Sequence, residues 1–588
     1  FVSILLSDAS YLKDAILTAI SLAVAVVPEG IPAVVTTVLA ISVARLAYHR
    51  AIVRKLEAVE TLGSASCILT DKTGTLTKNE MEVSDVYLDH RHIRVSGTRF
   101  EENNQRIDPK ADKRLSWLIY CSVLCNDAKF SGADTTVGDP TEACLIQMAR
   151  QAGFDVEKIR TEYRRVFEIP FSSETKRMTV VVEGPDGRTF AFTKGACESV
   201  CEYLKGANQT HSKASELLAA NGIRNLVYSC KELIGDRVAF EDEEGLYKDH
   251  EYLGTIGSKD PLRPEVKGAV SLAENAGVKT VMITGDHKLI ATDIGRELGI
   301  VTHDGQVIDG SDLDAMSETS LLSILKDIRV FSRMSPQQKL RIVAATMKSG
   351  ETVIVTGDGV NDAPAIKMAD IGVAMGISGT DVAKETADMV LQDDNYSTIV
   401  EAIKQGRGIF NNFIKFLKYQ ISSNVSGVLI IFPLTILGFP IPLLPVHILL
   451  LNLVSETGPC IALGLEKPEG NVMQTKPRKK NEPLLTKARW YRIGFESILL
   501  ASAGIIIFFV ALKTTPAAAV SATLVTAFLS RLWHALNARS ETLSIFSRYL
   551  QPNRGLYYTV GGTLIFLYFS IYTSLGNALT KTVPLDQD

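Results

Sequence analysis

The chain has 588 residues, 22% of them charged, with 62 Lys and Arg against 66 Asp and Glu and a formal net charge of −4. That length exceeds what one hydrophobic core organises, so several domains are expected. The balanced charge, without an Arg-rich aromatic platform, gives no reason to expect nucleic acid as a partner.

A slightly positive mean hydropathy of +0.13 conceals a segregation. Stretches able to span a bilayer lie at 15–44, 421–439, 446–465, 493–512, 517–536 and 557–575, each near the required length of about twenty residues. Between the first and second lies mixed, charged, globular sequence. Basic residues follow the first stretch (Arg45, Arg50, Arg54, Lys55), precede the second (Lys404, Arg407, Lys415, Lys418), follow the third in "KPRKKNEPLLTKAR", and follow the fifth (Arg539, Arg548, Arg554). By the positive-inside rule all of these are cytoplasmic, and six alternating spans place the globular middle in the cytosol.

The first stretch contains "AVAVVPEGIPAVVTT", which puts Glu29 between Pro28 and Pro32. A carboxylate at that depth is costly, and each proline removes a helix hydrogen bond, so the segment must gain something in return. From Cys67 to Thr75 an apolar strand runs into "DKTGTLT". The region 83–253 is patterned differently and reads as an inserted domain. After it, "VKTVMITGD", "IRVFSRMSP", "ETVIVTGDGVND" and "IGVAMG" alternate with helical segments. Strands alternating with helices predict a parallel, doubly wound sheet. The eight cysteines contain no CxxC pair. Cys121 with Cys125 and Cys197 with Cys201 have one-turn spacing that permits a metal pair, but the set reads as reduced core thiols. No cleavable signal peptide is visible, and the absence of an initiator Met reads as a start within a longer protein.

Asp71 closes an apolar strand ahead of a tight turn, where a carboxylate at the C-terminal edge of a parallel sheet is suited to attack a phosphoryl group. Three further pieces suit the same chemistry. Thr284 and Asp286 of "TGD" offer a hydroxyl and backbone N–H groups to phosphoryl oxygens; Lys339 of "SRMSPQQK" offers a point charge; Asp358 and Asp362 of "TGDGVNDAPAI" offer carboxylates to Mg²⁺.

With these motifs in this order, the sequence resembles the P-type ATPases, cation pumps that pass through an aspartyl-phosphate on a haloacid-dehalogenase-like domain. Within that family it is most similar to the sarcoplasmic/endoplasmic reticulum type of calcium pump. The resemblance implies a multidomain α/β protein with a helical membrane bundle. Residues 1–55 would form a membrane segment, 56–82 and 254–400 the two parts of the phosphorylation domain, 83–253 an inserted α+β nucleotide-binding domain, and 401–588 the fifth to ninth membrane helices. It implies Asp71 as the phosphorylated nucleophile, Thr284, Asp286 and Lys339 around the phosphate, and Mg²⁺ held by Asp71, the Thr73 carbonyl and Asp358, with Asp362 in support. ATP would be bound by Phe171, Lys176 and Met178 of "FSSETKRM", Lys194 of "TKGACE", Glu142 of "GDPTEACL" and Arg224 of "NGIRNL". Ser173 stands where the family usually has a basic residue.

For the transported ion the resemblance implies Glu29 with the carbonyls of Val26 and Val27, joined by Asn424, Asn452 and Glu456. Breaking a helix at mid-membrane is tolerable where the freed carbonyls line an ion cavity. Hard oxygen donors suit Ca²⁺ better than soft metals, while Mn²⁺ or Na⁺ could use the same atoms. Where two-site calcium pumps carry glutamates, this chain has Gly427 and Arg531. One ion per cycle is therefore expected, with Arg531 either a built-in counter-charge or a side chain reaching for the interface. The family's actuator domain and its remaining membrane helices are not found in this sequence, and would be partners supplied by the same protein. A prokaryotic-type plasma membrane is the expected location. Two rival readings are a membrane-tethered dehalogenase-like phosphatase and a non-catalytic scaffold; the large insert and Glu29 oppose the first, the set Asp71, Lys339 and Asp358 the second.

Overall fold

The computed structural model describes Ile16, Ala19 and residues 31–131, 135–205, 209–233, 246–480, 482–541, 544–547 and 551–585. It divides into two compact units, one of Phe1–Ile68, Ser271–Thr280 and Ile342–Asp588, the other of Leu69–Val270 and Val281–Arg341.

In the first unit, six helices among the described residues are long and apolar enough to cross a membrane: α1 (Ile31–Tyr48), α2 (Tyr396–Ile436), α3 (Pro445–Gly464), α4 (Lys487–Ala511), α5 (Pro516–Asn537) and α6 (Arg554–Tyr572). Their polarity is arranged for lipid. On α4 the inward stripe is Ser497, Ala501, Gly504 and Phe508, while Phe495, Ile498, Leu499 and Ile506 are exposed. Small inward residues let helices approach, and a Cβ at Gly504 would stand 2.8 Å from Ile430 of α2. Helix α2 begins at Tyr396 and runs for 41 residues, well beyond its apolar part. Its first half is tied to the segment Ser271–Thr280: the Thr280 and Tyr396 hydroxyls lie 2.7 Å apart, and Arg407 Nη2 donates to the Ala276 carbonyl at 2.9 Å. Two glycines let α2 pack closely. A Cβ on Gly406 would lie 2.6 Å from the Leu62 Cβ, and one on Gly408 would lie 2.6 Å from Pro468. The same unit holds the strands Val353–Gly357, Ile371–Met375 and Met389–Leu391, paired in parallel, with Ala51–Val53 antiparallel to the last. These strands are apolar along nearly their whole length, as parallel strands covered on both faces must be.

The second unit carries Lys279–Ile283 from Val281 onward, paired in parallel with Val330–Ser332, which pairs in parallel with Val307–Asp309. It also carries a nine-stranded antiparallel sheet. From one edge its order is Gln105–Ile107, Arg99–Glu102, Arg91–Ser96, Glu82–Leu88, Glu251–Lys259, Arg224–Leu233, Thr189–Gly195, Arg177–Glu183 and Arg164–Ile169. Helices Lys113–Leu124 and Pro140–Gln151 cover one face, burying Leu115, Leu118, Ile119, Leu145, Ile146 and Met148 against Val180, Phe192 and Tyr228. The fold is thus a multidomain α/β protein with a helical membrane bundle.

Candidate functional site

The strand Cys67–Asp71 delivers Asp71 to a turn closed by hydrogen bonds from the Leu76 and Thr77 N–H groups to the Lys72 carbonyl, with Gly74 at φ +72°. Only a residue without Cβ takes that conformation at no cost. One Asp71 oxygen accepts the Lys72 N–H at 2.7 Å and the other lies 2.6 Å from Lys339 Nζ, on helix Pro336–Lys348. Lys72 Nζ lies 2.7 Å from Asp286, whose N–H donates to Thr284 Oγ1 at 3.1 Å. Asp71, Lys339, Thr284 and Asp286 therefore share one locality, together with Lys72. The turn carrying Thr73 is held from outside: Thr77 Oγ1 donates to Asp260 at 2.6 Å, and Arg263 donates to the Thr77 and Gly74 carbonyls at 3.1 and 3.3 Å. Lys72, Asp260 and Arg263 were not anticipated. A signal existed in "KDPLRP", a charged, proline-bounded turn directly after a strand.

In the first unit, Asp358 and Asp362 stand just beyond the C-terminal end of the strand Val353–Gly357. The Asp358 carbonyl accepts the Thr380 N–H at 2.8 Å, and Asp362 accepts the Gly359 N–H at 3.2 Å. A Cβ on Gly357 would lie 2.4 Å from the Asp362 Cβ, so this strand end admits only glycine.

On the nine-stranded sheet, Met178 and Lys194 are direct cross-strand partners. Lys194 is buried, and its Nζ meets Glu142 Oε1 at 2.5 Å. Glu142 sits in the first turn of helix Pro140–Gln151, which opens with Asp139 accepting the Thr141 N–H and Pro140 at the first position, an arrangement that starts helices. Arg224 Nη1 donates to Thr141 Oγ1 at 3.0 Å. Phe171 is 59% exposed, and Lys176 Nζ reaches Glu198 at 3.0 Å. Met178 is only 1% exposed and packs in the core. All cysteines are free thiols, with Cys197 and Cys201 Sγ atoms 3.1 Å apart. No group of three or more His, Cys, Asp or Glu able to hold a metal occurs among the described residues.

In the membrane bundle, α3 is not a uniform α-helix. Leu451–Glu456 is a π turn between two α-helical pieces, and it contains Asn452 and Glu456. Pro459, having no N–H, cannot donate to the Ser455 carbonyl four residues back. That carbonyl instead accepts the Tyr419 hydroxyl at 2.8 Å; the Val454 carbonyl accepts Thr563 Oγ1 and the Asn452 carbonyl accepts Thr457 Oγ1, both at 3.2 Å. A hydroxyl thus stands where Pro459 offers no donor, and two more brace the turn, as suits buried irregular backbone.

Glu456 and Arg531 are 1% and 3% exposed and form an ion pair at 2.7 Å. The hydrogen-bond network orients the Asn424 amide to donate to both Glu456 oxygens at 3.1 Å. Arg531 Nη2 also donates to the Ser423 carbonyl at 3.0 Å, and lies 3.5 Å from where a Cβ on Gly427 would be. Arg531 is thus directed inward, to Glu456. Both polar atoms of the Asn452 side chain are buried and have no partner among the described residues. Val26, Val27 and Glu29 lie outside the described residues.

Comparison with known proteins bears on the whole chain. Residues 114–265 match the family model for the P-type ATPase cytoplasmic domain N, 339–403 that for haloacid dehalogenase-like hydrolase, and 440–588 that for the cation transporting ATPase C-terminus. The chain is 40% identical over 567 residues to a calcium-transporting ATPase of Bacillus subtilis, covering 92% of this chain and 63% of the relative. It is 36% identical over 596 residues to calcium-transporting ATPase 1 of Saccharomyces cerevisiae (96% and 62%), and 37% identical over 571 residues to human calcium-transporting ATPase type 2C member 1 (94% and 61%). It spans about three-fifths of the length of these curated relatives.

Proposed function

Because the chain belongs to the cation-transporting P-type ATPases, we propose that it carries the phosphorylation, nucleotide-binding and ion-binding parts of an ATP-driven calcium pump. The observation that carries this reading is the placement of Asp71 at a strand end, with Lys339 at 2.6 Å and the "TGD" turn of Thr284 and Asp286 beside it. An Asp71 oxygen attacks the γ-phosphorus of ATP, the bond from that phosphorus to the β,γ-bridging oxygen breaks, and ADP leaves. Lys339 balances the charge that spreads over the transferring oxygens, while Thr284 Oγ1 and nearby N–H groups hold them. Lys72, paired to Asp286, keeps the "TGD" turn beside the nucleophile.

The donors proposed for Mg²⁺ are the Asp71 carboxylate, the Thr73 carbonyl and the Asp358 carboxylate, with Asp362 in support; all are oxygens, which is what this ion takes beside phosphate. When bound it neutralises phosphoryl charge. ATP is proposed to stack its base on Phe171, with Lys176, Met178, Lys194, Glu142 and Arg224 around it. The burial of Met178 fits a pocket floor better than a rim. The Lys194–Glu142 pair supports this reading, since the carboxylate fixes where the buried lysine points.

In the membrane, Ca²⁺ is the proposed cargo, with Glu456, Asn452 and Asn424 joining Glu29 and the carbonyls of Val26 and Val27. The unpartnered Asn452 amide and the hydroxyl-braced π turn support an ion-receptive locality there. Arg531 fills the space beside Gly427 with positive charge, which supports one Ca²⁺ per cycle. Its pairing with Glu456 supports its service as the counter-charge once the cation has left. A prokaryotic-type plasma membrane is the proposed location.

The test is acid-stable phosphoenzyme formation from labelled ATP on the complete protein in membranes, with Ca²⁺, Mn²⁺ and Na⁺ titrated separately. Labelling that requires micromolar-range Ca²⁺ and vanishes in Asp71→Asn is expected. Labelling that follows Mn²⁺ or Na⁺ would reassign the cargo, and labelling indifferent to every cation would refute transport.

A further inference from the structure

The loop between α3 and α4 contains the basic run "TKPRKK", which none of the roles above uses. Within the first unit it encloses a cavity of about 140 Å³ against the first half of α2 and the start of α4. Four cations line it, Arg407, Lys476, Arg478 and Arg489, with Glu482 as the one carboxylate.

The cations are poorly neutralised. Arg407 is 6% exposed, and among the described residues its terminal nitrogens donate only to the carbonyls of Val472, Thr475 and Ala276. Its buried Nε–H has no acceptor among the described residues, and the same holds for the Nε–H of Arg478. Arg478 otherwise stacks on Phe410, donates from Nη1 to the Glu482 carbonyl at 3.3 Å and pairs with Glu60 at 3.7 Å. Lys476 makes no ion pair among the described residues, and Arg489 has only Glu541 at 3.9 Å. A buried guanidinium without a carboxylate is costly unless an anion reaches it. A second cavity of about 830 Å³ shares Lys476 and Arg478 and adds Lys348, Lys479 and Lys480, with Glu351 as its one carboxylate. Directly after Arg489, Trp490 and Tyr491 are exposed. Exposed Trp and Tyr at the end of a membrane helix sit at headgroup level, so the cavity lies at the height of lipid phosphates on the cytoplasmic side.

We propose that this cavity is an oxyanion site that takes the phosphate of an acidic phospholipid headgroup. Planar guanidinium donors suit phosphate oxygens, and the cavity has room for a tetrahedral group with water. The site is separate from the phosphoryl and ion sites and does not depend on which cation is carried.

The test uses the full chain in nanodiscs of phosphatidylcholine alone or with phosphatidylglycerol, with retained lipid counted by native mass spectrometry. Lys476→Gln and Lys476→Glu probe the cavity, Arg489→Lys is the conservative variant, and Lys487→Gln is a cation of α4 outside it. Phosphatidylglycerol is expected to be retained over phosphatidylcholine. Retention should fall about fivefold in Lys476→Gln and further in Lys476→Glu, and hold in Arg489→Lys and Lys487→Gln. A second arm supplies millimolar sulfate to phosphatidylcholine nanodiscs at matched ionic strength and reads thermal stability. Sulfate protection lost in Lys476→Gln, with no phosphatidylglycerol preference, would keep the oxyanion site and overturn its lipid occupant. Equal losses in Lys476→Gln and Lys487→Gln, or no anion effect in either arm, would overturn the site itself.

Discussion

The π turn of α3 offers a test in which two residues on different helices compete to satisfy one carbonyl. Tyr419→Phe removes the hydroxyl that reaches the Ser455 carbonyl at 2.8 Å. In the wild-type background the N–H four residues on cannot replace it, because residue 459 is proline. A buried carbonyl left without a donor costs about 1–3 kcal/mol. In Pro459→Ala the N–H four residues on becomes available, and the same Tyr419→Phe change should cost less than about 1 kcal/mol. The two changes should therefore couple by about 1–2 kcal/mol, measured by unfolding the four variants of the cycle in graded SDS. A matching pattern is expected in the cation concentration that half-saturates phosphorylation, since Asn452 and Glu456 bound the same turn. Additivity within about 0.5 kcal/mol would refute the idea that Tyr419 stands in for the N–H that Pro459 lacks.

Lys339→Met should lower the rate of phosphoenzyme formation about 10²- to 10³-fold with little change in ATP binding, read by single-turnover quench against nucleotide titration. Gly357→Ala forces a Cβ to within 2.4 Å of Asp362 and should cost about 1–3 kcal/mol, seen as a lowered thermal midpoint, whereas Gly268→Ala, with open space around its Cβ position, should not. His250 is buried between Ser229 Oγ and the Leu246 carbonyl, and burial lowers its pKa to about 4. Its unfolded pKa is about 6.5, so the unfolded chain binds the extra proton between these values. The stability it contributes is complete above about pH 6.5 and is lost as pH falls towards about 4, by up to roughly 3 kcal/mol; His250→Gln should flatten that part of the thermal midpoint against pH.

The phosphoryl locality was legible because each of its residues closes an apolar strand or opens a helix after one. Strand ends are easily read from runs such as "CILTD" and "VKTVMI". Asp71 and Lys339, 268 positions apart, were assigned to one site through motif order alone. Lys72 and Asp260 were missed because their roles depend on side chains crossing from separate segments, which no spacing reveals. Hydropathy identified six spans and lipid-facing helices, and the comparisons bear out the family and fold class that the motifs implied. It could not mark where α2 begins, since the helix continues from Tyr396 through a polar, buried stretch containing Gln405, Arg407 and Asn412. The π turn was equally hidden: apolar periodicity does not register one extra residue per turn, and Pro459 was its only trace. Arg531 stayed open because an arginine in an apolar helix reads the same whether it pairs inward or reaches outward. Its contact with Glu456 distinguishes the two.

Helix α2 can also be considered as a mechanical beam. Its 41 residues give a length of about 60 Å at 1.5 Å per residue. Its glycines at 406 and 408 serve close approach to Leu62 and Pro468 and leave no slack there, so the clamp acts as a fulcrum. Tyr396 lies ten residues to one side, about 15 Å, and Asn424 eighteen residues to the other, about 27 Å. A sideways push of 1 Å at the Thr280 end would therefore swing Asn424 by about 1.8 Å the opposite way. Such a displacement exceeds half the length of a hydrogen bond, enough to detach its amide from Glu456 without bending the beam.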